Sequence, residues 1–85
     1  MNNARRKIIR DILAKIEELD NLRMEIYYAI EEVRDEEQEA FDNLPESIQY
    51  GEKGQAMEQT ISYLEDAMSD FENLELPSDN LENAL

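Results

Sequence analysis

Residues 8–44 read IIRDILAKIEELDNLRMEIYYAIEEVRDEEQEAFDNL, and no Gly or Pro interrupts them before Pro45. Apolar side chains return at seven-residue intervals on two interleaved rows. One is Ile9, Ile16, Ile30 and Leu44; the other is Ile12, Leu19, Ile26, Val33 and Ala40. A heptad pattern held for about five repeats predicts one long helix built to pack on other helices. Arg23 and Glu37 fall on the first row, where polar residues cost stability but select one register. Tyr27 and Phe41 are expected to flank the seam.

Working outward, Asn2 or Asn3 is placed to cap this helix, although the basic residues in its first turn oppose the helix dipole. Pro45 ends it, because proline lacks the donor and clashes with the preceding turn. Gly51 permits a reversal, and Gly54 either weakens the next helix or lets the loop pack close. The second helix carries Met57, Ile61, Leu64, Met68 and Phe71 on one face, and Pro77 marks its end. The expected fold is all-α: an antiparallel helical hairpin, assembling as a dimeric coiled coil or four-helix bundle. Its single domain comprises helix 1 at about 3–42, a turn at 43–51, helix 2 at about 52–75 and a tail at 76–85.

An antiparallel register that matches apolar levels pairs Ala40 with Met57, Val33 with Leu64, Ile30 with Met68 and Ile26 with Phe71. It also sets Arg23 beside Glu72 and Glu75, and Glu37 near Gln59 and Thr60. The second helix is too short to cover the start of the first. Ile8, Ile9, Ile12, Leu13, Ile16 and Leu19 are left without a mate, at roughly 1.5–3 kcal/mol of forgone burial each. The tail, with Leu76, Leu81 and Leu85, has the reach to cover some of them; a second copy covers all. These six residues are therefore the expected homodimer interface, two rods crossing antiparallel near Ile12 with Arg5, Arg6 and Arg10 of one copy against Glu17, Glu18 and Asp20 of the other; docking on a different protein is the rival.

The 85 residues carry a net charge of −14, unevenly spread. Residues 1–15 hold Arg5, Arg6, Lys7, Arg10 and Lys15 against Asp11 alone, a net of +4; the remainder holds three basic and twenty-one acidic residues, a net of −18. Such a surface repels nucleic acid and membranes and attracts basic proteins. With no Cys and no His, the chain lacks thiolate chemistry, the commonest general base and the commonest transition-metal ligand. The serines and threonines have no base to activate them, and the two glycines do not form a phosphate loop. The acidic run from Asp35 to Glu39 spreads around a helix and lacks the alternating ligands and Gly of a calcium loop. The expectation is a non-enzymatic protein with no metal and no cofactor. With neither a membrane span nor a signal peptide legible, its expected location is the cytoplasm.

The stretch Asp35–Gln59, DEEQEAFDNLPESIQYGEKGQAMEQ, with the basic opening ARRKIIRDILAKIEEL, resembles small acidic helical proteins of bacteriophages and mobile elements of low-GC Gram-positive bacteria. The resemblance implies a source and no catalytic residue. Proteins of that kind often inhibit host defence, some by imitating DNA, in the manner of an anti-CRISPR. The functional expectation is an inhibitor binding a basic host protein, with an RNA-guided nuclease as the candidate. The carboxylates expected to carry it are Glu31, Glu32, Asp35, Glu36 and Glu39 on the first helix and Glu65, Asp66 and Asp70 on the second. The alternative is a structural or regulatory assembly protein that docks partners through its apolar overhang.

Overall fold

The computed structural model describes residues 1–85 as four helices and no strand: α1 (Asn3–Asp42), α2 (Glu46–Gln49), α3 (Glu52–Glu72) and α4 (Ser78–Ala84). The molecule measures 68 × 15 × 12 Å, with a radius of gyration of 20.3 Å against about 12 Å for a compact chain of this length. It is a rod two helices thick. Helix α1 runs its whole length, α3 returns antiparallel along the C-terminal part, and α4 lies back on the N-terminal part.

Each helix starts and stops where local chemistry dictates. The Asn2 side chain accepts from the Arg5 N–H at 2.9 Å and caps α1. At the other end the chain leaves α1 through Asn43 before Pro45. Pro45 and Pro77 immediately precede α2 and α4, where a missing N–H costs nothing. Helix α3 ends at Glu72, one turn earlier than expected, and the freed residues Asn73–Pro77 turn the chain back towards α1.

The corner depends on two residues that touch. A Cβ on Gly54 would lie 2.0 Å from the Gln49 carbonyl oxygen and 2.6 Å from its Cα, so the α2 backbone rests directly on α3 there. Gln49 also donates its side-chain amide to the Phe41 carbonyl at 3.0 Å, a second bond to an oxygen that already accepts the Leu44 N–H, and so ties α2 to the end of α1. Gly51, by contrast, has φ −86° and ordinary room for a Cβ, so the reversal does not need a left-handed residue.

The α3 face is as its spacing implies: Gly54, Ile61 and Met68 are buried, and Met57, Leu64 and Phe71 half-buried. The α1 face is not. The row that meets α3 and the tail alongside Ile9, Ile16, Arg23, Ile30, Glu37 and Leu44 is Leu13, Asp20, Tyr27, Arg34 and Phe41, all half-buried. The row Ile12, Leu19, Ile26, Val33 and Ala40, expected in the seam, is exposed. Rotating α1 in this way puts the aromatic bodies of Tyr27 and Phe41 into the seam, where they bury more area than Val33 or Ala40 would. It also lets the Arg34 stem pack there while its charged head reaches solvent.

Replacing Gly54 with Ala is expected to lower stability by about 1–3 kcal/mol, because main chain rather than a flexible side chain must move. Gly51→Ser supplies the missing N-cap side chain of α3 and is expected to raise stability by a few tenths of a kcal/mol. Urea unfolding of the two variants, followed by helical circular dichroism, checks both signs.

Candidate protein interface

The level along the rod is that of the expected antiparallel register, since Arg23 meets the end of α3 and Arg34 meets Glu65. But Ala40, Val33 and Ile26, expected to meet Met57, Leu64 and Phe71, are exposed, because α1 turns its neighbouring row to α3. The Arg23 guanidinium donates to the carbonyl oxygens of Phe71 at 2.9 Å and Glu72 at 3.4 Å, while Asp20 holds it from behind at 2.7 Å. Helix α3 has no basic residue in its own last turn, so the cation that its C-terminal carbonyls require comes from α1. Arg23 thus acts on the α3 main chain, not on the carboxylates of Glu72 and Glu75. Gln59 and Thr60 make their bonds within α3, to Tyr63 and Ala56, and not to Glu37.

The six residues expected at a dimer interface divide in two. Ile9, Leu13 and Ile16 are half-buried; Leu13 and Ile16 line an open groove with Leu74 and Leu76, where the tail lies against α1. Helix α4 therefore supplies part of the cover that the sequence left unassigned. Ile8, Ile12 and Leu19 remain 41–58% exposed, joined on the same side of α1 by Leu22, Ile26 and Val33. These last three are interface candidates that the sequence reading assigned to the hairpin seam or passed over. The signal for them was the 3–4 spacing that links them to Ile8 and Ile12.

The carboxylates do not form one face. Glu31 and Glu65 come together around Arg34, whose Nη1 lies 4.0 Å from Glu65 and whose Nε donates to Asp35 at 2.8 Å. That bond to Asp35 raises the guanidinium's affinity for its proton above the usual value, against an opposing penalty from burial. Beside it, burial and then the charges of Glu72 and Glu31 push the Tyr27 hydroxyl above 10.0. Glu32, Asp35, Glu36 and Glu39 are exposed on the outer side of α1, and Asp66 and Asp70 on the outer side of α3. Glu32 and Glu39 belong to a longer row, Asp11, Glu18, Glu25, Glu32 and Glu39, in which every seventh residue is acidic and every one is exposed. At a rise of about 1.5 Å per residue these five carboxylates stand about 10 Å apart along some 42 Å of the rod. Asp11 and Glu25 were legible as members of that row but carry no role in the sequence reading, which assigns Glu18 to the dimer contact alone.

No group of three or more acidic side chains converges as a metal site would require, and no helix is long and apolar enough to cross a membrane. No protein-family model, curated protein or solved structure matches the chain.

Loss of the Arg23 clamp in Arg23→Met is expected to cost about 1.5–3 kcal/mol, the range for a hydrogen bond to a charged group; chemical denaturation reads it. The raised Tyr27 affinity for its proton contributes stability that is fully present below pH 10 and is lost as pH climbs through the higher folded value. An absorbance titration near 295 nm is expected to show a component above pH 10 that Tyr27→Phe removes.

Proposed function

We propose that this chain is a non-enzymatic inhibitor that acts as a homodimer and binds a basic host protein. Its carboxylates would occupy a nucleic-acid groove, and an RNA-guided nuclease is the specific candidate. The observation that carries this reading is the unbroken exposed row of carboxylates from Asp11 to Glu39 on a rod 68 Å long. Magnitudes bear on how close the imitation is. A net charge of −14 over that length is about one charge per 5 Å, against one per roughly 1.7 Å of duplex axis. Two rods side by side come to about one charge per 2.4 Å, so the dimer is the better mimic. Exposed carboxylates that are free of internal cations also reach a partner at little desolvation cost, which favours fast, salt-sensitive association.

A second reading rests on a different observation, the exposed aliphatic side of α1 from Ile8 to Val33. There the chain is an assembly protein whose apolar side docks a partner and whose charge confers solubility.

The test uses a guide-loaded RNA-guided nuclease as the basic partner. Binding is expected to fall steeply with salt, to be outcompeted by target duplex DNA, and to weaken about fourfold or more in an Asp35→Asn, Glu39→Gln, Asp66→Asn, Asp70→Asn variant, taking ~0.2–1 kcal/mol per exposed pair. Salt-insensitive binding that the four substitutions leave intact and Ile12→Asp abolishes would sink the inhibitor reading in favour of the second.

A further inference from the structure

The exposed side of α1 is a second seam in its own right. Ile8, Ile12, Leu19, Leu22, Ile26 and Val33 follow alternating three- and four-residue steps, with Lys15 and Ala29 at the two intervening positions. The same spacing starts at Arg5 and continues to Glu36. This stripe lies about a quarter-turn around α1 from the side that α3 covers, so nothing in the hairpin reaches it.

We propose that a second copy of the chain lies on this stripe with its α1 antiparallel, Leu19 of each copy meeting Leu22 of the other across a two-fold axis. The inference deepens the dimer named in the proposed function and rests on that reading. In this register Ile12 opposes Ala29, Ile8 opposes Val33, and Arg5 opposes Glu36.

Surface area supports a second copy as the occupant. A compact folded chain of this mass exposes about 5,200 Å², and this one exposes 6545 Å². The excess exceeds the roughly 800 Å² per partner of a specific interface. The stripe itself runs about 38 Å on a helix about 10 Å wide, a footprint of about 380 Å², which supplies about half of such a contact.

Charge then sets the direction. Within the chain the only ion pairs involve Arg23 and Arg34, so Arg5, Arg6, Lys7, Arg10 and Lys15 have no carboxylate partner in a molecule of net −14. Helix α1 is positive at its N-terminal end and negative towards its C-terminal end, the reverse of what its own dipole favours. Residues 1–15 carry +4; residues 26–40 hold six acidic residues against Arg34, a net of −5. An antiparallel copy lays each of these segments on the other, twice. A parallel copy lays like on like. The opposing terms lie on the flanking acidic row, where Glu18 comes towards Glu25 and Asp11 towards Glu32 of the second copy; Lys15, three residues from Glu18, offsets the first in part.

Sedimentation of the full chain at tens of micromolar is expected to give twice the monomer mass. Leu22→Glu, at a position exposed in the single chain, is expected to keep the helical circular dichroism and sediment as a monomer. The chain has no Cys, so Arg5→Cys and Glu36→Cys can each be made alone and the two variants mixed under mild oxidation. The mixed disulfide is expected to dominate, because the two positions are about 46 Å apart within one chain and meet only between antiparallel copies. A monomeric wild type overturns the proposal, and so does a Leu22→Glu variant that stays dimeric. Arg5→Cys chains that link to one another overturn the direction while leaving a dimer in place. A dimer that cross-links as expected but fails to bind the nuclease leaves this seam standing and removes the inhibitor function.

Discussion

A 40-residue helix with apolar residues on two adjacent sides has to share its burial among partners, and this chain supplies one and a half of them. Helix α3 is 21 residues long and covers the C-terminal half of one side; α4 adds a short patch at the other end. Only Ile61 and Met68 among the apolar residues are buried. Every other feature follows from that imbalance. A rod two helices thick has no interior in which a third layer of side chains could disappear, so apolar content that would make a core in a rounder fold stays at the surface.

The polar residues of the seam take on roles that a packed core would otherwise fill. Arg23, held by Asp20, is bonded to main-chain carbonyls and so marks one place along α1 where α3 must end. Gln49 and Gly54 fix the opposite end of α3 through backbone contact at the corner. Between those two anchors the register cannot slide by a turn without breaking the Arg23 bonds to the α3 carbonyls and the Gln49 bond to Phe41. The seam is therefore specified at its ends by hydrogen bonds and in its middle by a few half-buried side chains.

Charge and apolar surface occupy different sides of the same helix, which makes the two functional readings compatible in space. The aliphatic stripe faces one way and the outermost carboxylates another, with the row Asp11 to Glu39 along the boundary. A copy seated on the stripe leaves Asp35, Asp66 and Asp70 free to meet a third molecule. It would also double the charge that this molecule meets, so the proposed self-association and partner binding would reinforce one another.

The sequence by itself determined the elements. An uninterrupted heptad pattern, a capping Asn2, helix-ending prolines and the spacing Met57–Ile61–Leu64–Met68–Phe71 each act through local geometry, and the helices and their levels along the rod follow from them. It also showed that the front of α1 lacked cover. What it left undetermined was rotation about the helix axis. The rows beginning at Ile12 and at Leu13 are one residue apart, both can face a neighbour beside the row of Ile9, and the more apolar row is not the one that α3 selects. That choice depends on how Tyr27, Arg34 and Phe41 fill the space against α3, and on Arg23 reaching a carbonyl 48 residues away. The cover that α4 gives to Ile9, Leu13 and Ile16 is of the same kind, since a seven-residue helix is not stable alone and forms against the surface it covers. Only the tertiary structure decided these, because periodicity specifies which residues share a side and packing specifies which side is used.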